Sequence, residues 1–275
     1  VEHLVFTESF PGGEPVTDPD IGNVVLLVTA ENAAAGSGIF TSDVGSHGFD
    51  STVHPTEGTG IAVVSTAQAK FGNKSLYIYD EIGIGNNAGF DAATSTDFDF
   101  GSGDFTVEFH WRSPDSSITS RDTIGCWDNG QLQWKFGMSA GGGTYITTMS
   151  ISTNGTSNNL TYAKGYAWDG SDPGAVDTWY HIALSRVGND MRMFVDGEQI
   201  DVTTDVTGMT INSGTPKFYL GTATLNGPNY ELYLDNVRIT KGVGRYTTNF
   251  TPPGAPYEGS SGTGAVETFV VGDPA

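Results

Sequence analysis

Apolar and polar residues alternate with a period of two along much of the chain, the pattern of strands with one face buried. The clearest stretch runs from Thr178 to Ile200. Tyr180, Ile182 and Leu184 alternate with Trp179, His181, Ala183 and Ser185. Gly188-Asn189-Asp190 then turns the chain, and Met191, Met193 and Val195 alternate with Arg192, Phe194 and Asp196. Two alternating runs around a Gly/Asn/Asp turn predict a β-hairpin. Asp196-Gly197 adds a second tight turn, because glycine accepts a positive φ. Three short strands in an antiparallel meander are therefore expected.

The same pattern places further strands. Asn23–Ala30 is a continuous apolar run, expected to be buried on both faces. Residues 31–60 read as a long polar loop with one short strand at Ile39-Phe40. Ile61–Ala67 and Ser75–Tyr79 follow, with Leu76 and Ile78 facing one layer and Tyr77 and Tyr79 the other. In 105–111, Phe105, Val107, Phe109 and Trp111 form a core face. Thr106, Glu108 and His110 then share the opposite face, where a ligand-binding concavity is expected. Strands are also predicted at Asp122–Trp127, Gln131–Met138, Tyr145–Thr153, Asn158–Ala163, Lys217–Leu225 and Glu231–Thr240. In the last of these the burial parity changes, which predicts a bulge near Asp235-Asn236. Prolines 11, 15 and 19 make residues 1–20 an extended arm. Residues 258–264 read as a linker before a strand-like run at 265–271, so 258–275 form a second arm. One large domain, 21–257, lies between them.

Composition narrows the class. With 38 glycines and only 16% charged residues, the chain suits an all-β protein with many turns. No apolar run reaches the length of a membrane span, so membrane insertion is not expected. No basic region followed by an apolar core opens the chain, so no secretory signal is expected there. The formal charge of −20 excludes a phosphate-reading face of the usual kind and so argues against nucleic acid. Cys126 is the only cysteine, so no intrachain disulfide forms, and its place in an apolar run makes it a core thiol. His47, Asp50 and His54 carry metal-ligand chemistry but match no standard ligand spacing.

Four segments resemble one family. They are Trp179-Tyr-His-Ile-Ala-Leu-Ser-Arg186 with Met193-Phe-Val-Asp-Gly197, Ala67–Asp80, Asp97–Trp111 and Tyr233–Pro253. Together they are similar to laminin-G-like domains of the concanavalin A-like jelly-roll superfamily. The last resembles the closing segment of such modules in tailed-phage virion proteins. The resemblance implies an antiparallel β-sandwich jelly roll whose closing segment, with Arg245-Tyr246 and Phe250-Thr-Pro-Pro253, folds back over an edge. It also implies a virion surface protein, either a capsid decoration or a fibre or tail module. Its partners would be other virion proteins or copies of itself, reached through the arms, and a cell-surface glycan. A secreted bacterial adhesin or carbohydrate-binding module, and a divergent glycosidase, are the alternative readings.

Enzyme chemistry finds little support. Jelly-roll glucanases carry Glu-x-Asp-x-x-Glu on one strand, and no such triplet occurs here. Retaining cleavage needs carboxylates about 5 Å apart, whereas Glu231 and Asp235 are about 13 Å apart along an extended strand. No Gly-x-Ser-x-Gly elbow is present. His181 is read as a hydrogen-bonded sheet residue rather than a base. For a sugar, Trp127, Tyr166 and Trp168 are the candidate platforms, while Trp134 is either a platform or core. Some laminin-G-like relatives hold calcium at a loop rim. The candidate ligands for Ca2+ here are Asp80, Asp235 and Asn236, against a plainer reading in which each caps a turn.

Overall fold

The computed structural model describes residues 17–52, 60–80, 88–114, 121–128, 131–141, 144–158, 160–166, 177–200, 204–221, 230–257 and 259. In chain order its strands are β1 (Val24–Val28), β2 (Ile39–Thr41), β3 (Gly48–Thr52), β4 (Ile61–Ser65), β5 (Ser75–Asp80), β6 (Gly89–Ala92), β7 (Phe105–Arg112), β8 (Arg121–Asp128) and β9 (Gln131–Gly141). They continue as β10 (Thr144–Ile151), β11 (Leu160–Tyr166), β12 (Tyr180–Val187), β13 (Asp190–Val195), β14 (Glu198–Gln199), β15 (Thr204–Asp205), β16 (Phe218–Gly221) and β17 (Tyr230–Lys241). Two short 3-10 turns, Ile21–Asn23 and Thr96–Phe98, are the helical elements among the described residues.

The strands form two antiparallel sheets. One runs β14-β13-β12-β7-β17-β5-β4, with β1 beside β17 and β15 beside β13. The other runs β11-β10-β9-β8-β16-β6-β3-β2. The sheets bury their facing sides in one core. Phe105, Val107, Phe109 and Trp111 of β7 and Leu232, Leu234, Val237 and Ile239 of β17 belong to the same cluster as Ile124, Cys126, Trp134, Phe136, Phe218 and Leu220 of the second sheet. Each such aliphatic or aromatic side chain contributes about 1.5–3 kcal/mol when fully buried. Trp134 is fully enclosed and its indole N–H donates to the Phe98 carbonyl at 3.0 Å, so it is core and not a platform. Cys126 is buried, and desolvation pushes its thiol well above the ordinary range, as fits an inert packed sulfur.

The central hairpin forms as the alternation predicts, with β12 and β13 paired from Ile182–Val195 to Val187–Asp190. The bulge in the last strand is also present. The register of β17 against β7 shifts between Asp235 and Arg238. It lies where β17 changes neighbour, from β5 at residues 230–234 to β1 at residues 237–240. Asn236 takes φ +46° there.

Two expectations are corrected. The loop expected over 31–60 contains a second strand, β3, which pairs with β2 and with β6. Of the arm expected over 1–20, residues 17–20 are described, and there Asp18 is buried and docked on the sheet rather than extended from it. Its carboxylate accepts from Arg238 Nη1 at 2.9 Å and from Arg245 Nη1 and Nη2 at 2.8 Å each. Residues 1–16 and, apart from Gly259, the expected arm at 258–275 lie outside the described residues.

Candidate functional site

The outer face of the nine-stranded sheet has a closed half and an open half. On β7 the alternation sends Thr106, Glu108, His110 and Arg112 outward. The segment 243–257 then crosses over Glu108 and shuts it in. Glu108 Oε1 accepts from Arg238 Nε at 2.9 Å and Nη2 at 2.8 Å. Its Oε2 accepts from the Tyr246 hydroxyl at 2.7 Å and the Tyr257 hydroxyl at 3.0 Å. His181 Nε2 lies 3.2 Å from the same Oε2 and 3.1 Å from the Tyr257 hydroxyl. Burial alone would raise the Glu108 carboxyl, but Arg238, His181 and Tyr246 hold it well below the usual carboxylate range.

Glu108 therefore stays ionised and inaccessible, clasping the closing segment to the sheet. Aromatic packing finishes the closure. Tyr246 and Phe250 stack at 3.6 Å, Phe250 meets the His181 ring edge at 5.6 Å, and the Arg238 guanidinium lies 3.6 Å from the Tyr257 ring centroid. The concavity expected over Glu108 and His110 is thus filled by the chain itself. His181 is the hydrogen-bonded sheet residue expected.

Asp235 and Asn236 belong to the same closure. Asp235 Oδ2 accepts from the Lys70 and Phe71 backbone N–H groups at 2.7 and 3.1 Å. Its Oδ1 accepts from Asn236 N at 2.7 Å and Nδ2 at 3.0 Å. Asn236 Oδ1 accepts from the Tyr257 N–H at 3.3 Å. Burial pushes the Asp235 carboxyl up to about 7, against the pull of these donors. A buried carboxylate ringed by N–H donors does not fit a calcium ion, because hydrogens occupy the lone pairs that the ion would need. The pair instead brackets the chain around the β17 bulge. Asp80 ends β5 opposite Tyr230, its side chain outside what the structure describes. Among the described residues no three His, Cys, Asp or Glu side chains are grouped to hold a metal.

Towards the opposite end of the sheet the outer face is open. Here the register lines up one residue from each of four strands: Val63 on β4, Tyr77 on β5, Tyr233 on β17 and Arg112 on β7. Trp179 stands beside them, one residue before β12. Tyr77 and Tyr233 ring centroids are 4.9 Å apart, and those of Trp179 and Tyr233 are 6.5 Å apart. Arg112 lies 5.8 Å from the Tyr233 ring centroid. Its Nε donates to the Asp177 carbonyl at 2.9 Å, and its Nη2 pairs with the Asp177 carboxylate at 3.2 Å. A second row, Ile61, Tyr79 and Glu231, runs alongside. Burial and neighbouring Glu231, which also bonds the hydroxyl, push the Tyr77 phenol above its ordinary range. Tyr77, Tyr79, Trp179, Val63 and Glu231 are half-buried and Ile61 is exposed, while Tyr233 and Arg112 between them are buried. The rows therefore form an apolar platform with polar edges in which Tyr77, Tyr79 and Trp179 are the accessible rings.

The predicted platforms fall elsewhere. Trp127 is half-buried on the outer face of the eight-stranded sheet, where Lys135 Nζ sits 5.1 Å from its ring centroid and 2.8 Å from Asp122. Tyr166 closes β11 opposite Tyr145, its side chain outside what is described, and Trp168 lies outside the described residues. The structure therefore does not bring Trp127 to the open row. Sequence reading placed Tyr77 and Tyr79 on the second face of their strand but did not join them to Tyr233 and Trp179. The available signal was that all four aromatics alternate with core residues, Leu76, Ile78, Leu232, Leu234 and Tyr180.

Comparison with known proteins bears on the fold. A family model described as the concanavalin A-like lectin/glucanases superfamily matches residues 86–243. No curated protein matches the chain. Among solved structures, the chain is similar to the binding domain of Paraclostridial Mosquitocidal Protein 1, with a TM-score of 0.55 and 13% identity over 81% of this chain and 50% of that one. It is also similar to the binding domain of botulinum neurotoxin DC, solved in complex with rat synaptotagmin II, with a TM-score of 0.57 and 13% identity over 81% and 49% of the two chains. A third is the botulinum neurotoxin serotype G binding domain, with a TM-score of 0.53 and 14% identity over 82% and 49%. The chain spans about half the length of each of these structures. At such identities the likeness is one of fold alone.

Proposed function

The chain belongs to the concanavalin A-like lectin/glucanases superfamily, and we propose that it is a non-enzymatic, lectin-like binding module whose ligand face is the open aromatic row. The carrying observation is the contrast across one sheet face. The half around Glu108 is sealed by the chain's own closing segment, whereas Tyr77, Tyr79 and Trp179 remain partly open beside Arg112 and Glu231. Flat aromatic faces with a few fixed polar groups suit a sugar ring, which has an apolar face and a hydroxyl edge. The enclosure of Glu108 supports the non-enzymatic reading, since a carboxylate fixed by four donor groups cannot approach a glycosidic bond. Structural neighbours that are binding domains, one of them in complex with another protein, agree with recognition as the role.

The finer reading is a surface component of a tailed-phage particle, a capsid decoration or a fibre or tail module. Residues 233–253, which resemble the closing segment of such virion modules, support it. The ligand would be a glycan on the host surface, and the partners other virion proteins or further copies of the chain. Mass spectrometry of purified particles tests the location; absence of the protein from them would refute it. Retention of the purified protein on immobilised glycans, without turnover of any of them, tests the binding role. Release of reducing sugar would overturn the non-enzymatic reading.

A further inference from the structure

We infer that the open row takes a neutral, unbranched oligosaccharide laid across the strands, and that it excludes sialylated, uronic and sulfated glycans. This rests on the binding-module reading and narrows its ligand class.

The shape argument comes from the register. The row crosses β4, β5, β17 and β7 and reaches Trp179 at β12. Five strands at the usual spacing of about 4.8 Å make a platform about 19 Å wide, longer than a single sugar ring needs. Its aromatics sit side by side on a rigid sheet, Tyr77 4.9 Å from Tyr233 and Tyr233 6.5 Å from Trp179. In the register Arg112, itself buried, stands between Tyr233 and Trp179, and Tyr233 is buried. Among the described residues a linear chain can therefore span from Tyr77 to Trp179 over Tyr233, where a branch would lift it away.

The charge argument comes from the hydrogen bonds. An anionic sugar needs a cation with donors to spare. Arg112 is the cation of this row; Asp177 engages its Nε through its carbonyl and its Nη2 through its carboxylate, and the remaining Nη1 is buried away from an incoming anion. The Asp177 side chain is 59% exposed, and Glu231 stands half-buried on β17, two residues before Tyr233 and beside Tyr77. An incoming carboxylate or sulfate would meet two carboxylates and a cation that is already paired. The chain's charge of −20 adds long-range repulsion of any polyanion. A sugar hydroxyl pays no such penalty, since it can both donate to the carboxylates and accept from a phenol.

The experiment is isothermal titration of the full chain with linear neutral hexose oligomers and with sialylated and sulfated oligosaccharides. Each is run at low and at high salt. Neutral oligomers are expected to bind with an affinity that salt leaves unchanged. Tyr77→Ala and Trp179→Ala are each expected to weaken binding roughly tenfold. Tyr77→Phe, which keeps the ring, should stay within about threefold of the parent. The double variant Asp177→Asn, Glu231→Gln should gain binding of acidic oligosaccharides that the parent lacks. Thermal melts check that each variant is folded. Preferential, salt-sensitive binding of acidic glycans by the parent would overturn the inference and leave the binding-module reading standing. Binding of neither class, or neutral binding unmoved by both aromatic truncations, would overturn that reading as well.

Discussion

At the residue scale, Glu108 decides what half of a sheet face can do. It holds together β7, β12, β17 and the closing segment through Arg238, His181, Tyr246 and Tyr257. Glu108→Gln keeps the shape but leaves Arg238 short of its counter-charge. Breaking one partner of a buried ion pair typically costs about 3–5 kcal/mol, and denaturant unfolding should show a loss of that order. The sign of its pH dependence follows from the lowered carboxyl. Stabilisation by Glu108 is complete above the ordinary value of 4.5 and fades as pH falls towards the lower folded value. The gap between wild type and Glu108→Gln should therefore stay constant from neutral pH to about 4.5 and narrow in stronger acid. A gap that widened there would contradict the arrangement. For Asp235 the expectation concerns metal. Its oxygens are occupied by N–H groups, so a chelator should leave the melting temperature unchanged. A clear drop with EDTA, restored by calcium, would show a site elsewhere. Sequence alone marked Glu108 as outward-facing, correctly. It did not show the seal, because Tyr246 and Tyr257 reach Glu108 across 138 and 149 residues of chain.

At the element scale, the closing segment is held at its middle by a backbone contact. The Phe250 N–H donates to the Gly197 carbonyl at 2.9 Å. Gly197 has φ +78°, and a Cβ there would stand 1.9 Å from the Phe250 carbonyl oxygen. Gly197→Ala therefore combines backbone strain with a collision, at a cost expected to exceed about 1 kcal/mol. Faster hydrogen exchange across residues 243–257 in that variant would show the segment lifting; unchanged exchange would contradict the contact. The central hairpin and β17 were readable because their own alternation is strong. The strands β3 and β6 were not. Each is short and rich in Gly and Asp, with Phe49 and Phe90 supplying most of the apolar signal. They pair with each other across about forty residues of chain, Phe49 opposite Ala92 and Ser51 opposite Phe90. A distant partner, not local propensity, makes them strands.

At the scale of the whole molecule, the two ends of the nine-stranded sheet differ in what covers them. Around Arg238, the ion cluster gathers Asp18, Arg245 and Glu108, so the beginning and the end of the described domain dock together. At the other end Tyr77, Tyr79 and Trp179 stay partly open around the buried Tyr233. That the chain is all-β was legible from period-two patterning and turn residues, and the jelly roll from the resemblance of four segments. The open row was not, because its members lie at positions 63, 77, 112, 179 and 233 and meet only through the register of five strands. Trp127 looked better in the sequence but lies on the other sheet.

The most direct test is retention on an array of immobilised oligosaccharides, comparing wild type with the double variant Tyr77→Ala, Trp179→Ala and with Trp127→Ala. Binding by wild type and by Trp127→Ala, together with its loss in a folded double variant, is the result expected if the open row is the ligand face. Retention of the double variant at the wild-type level, or loss only in Trp127→Ala, would contradict it.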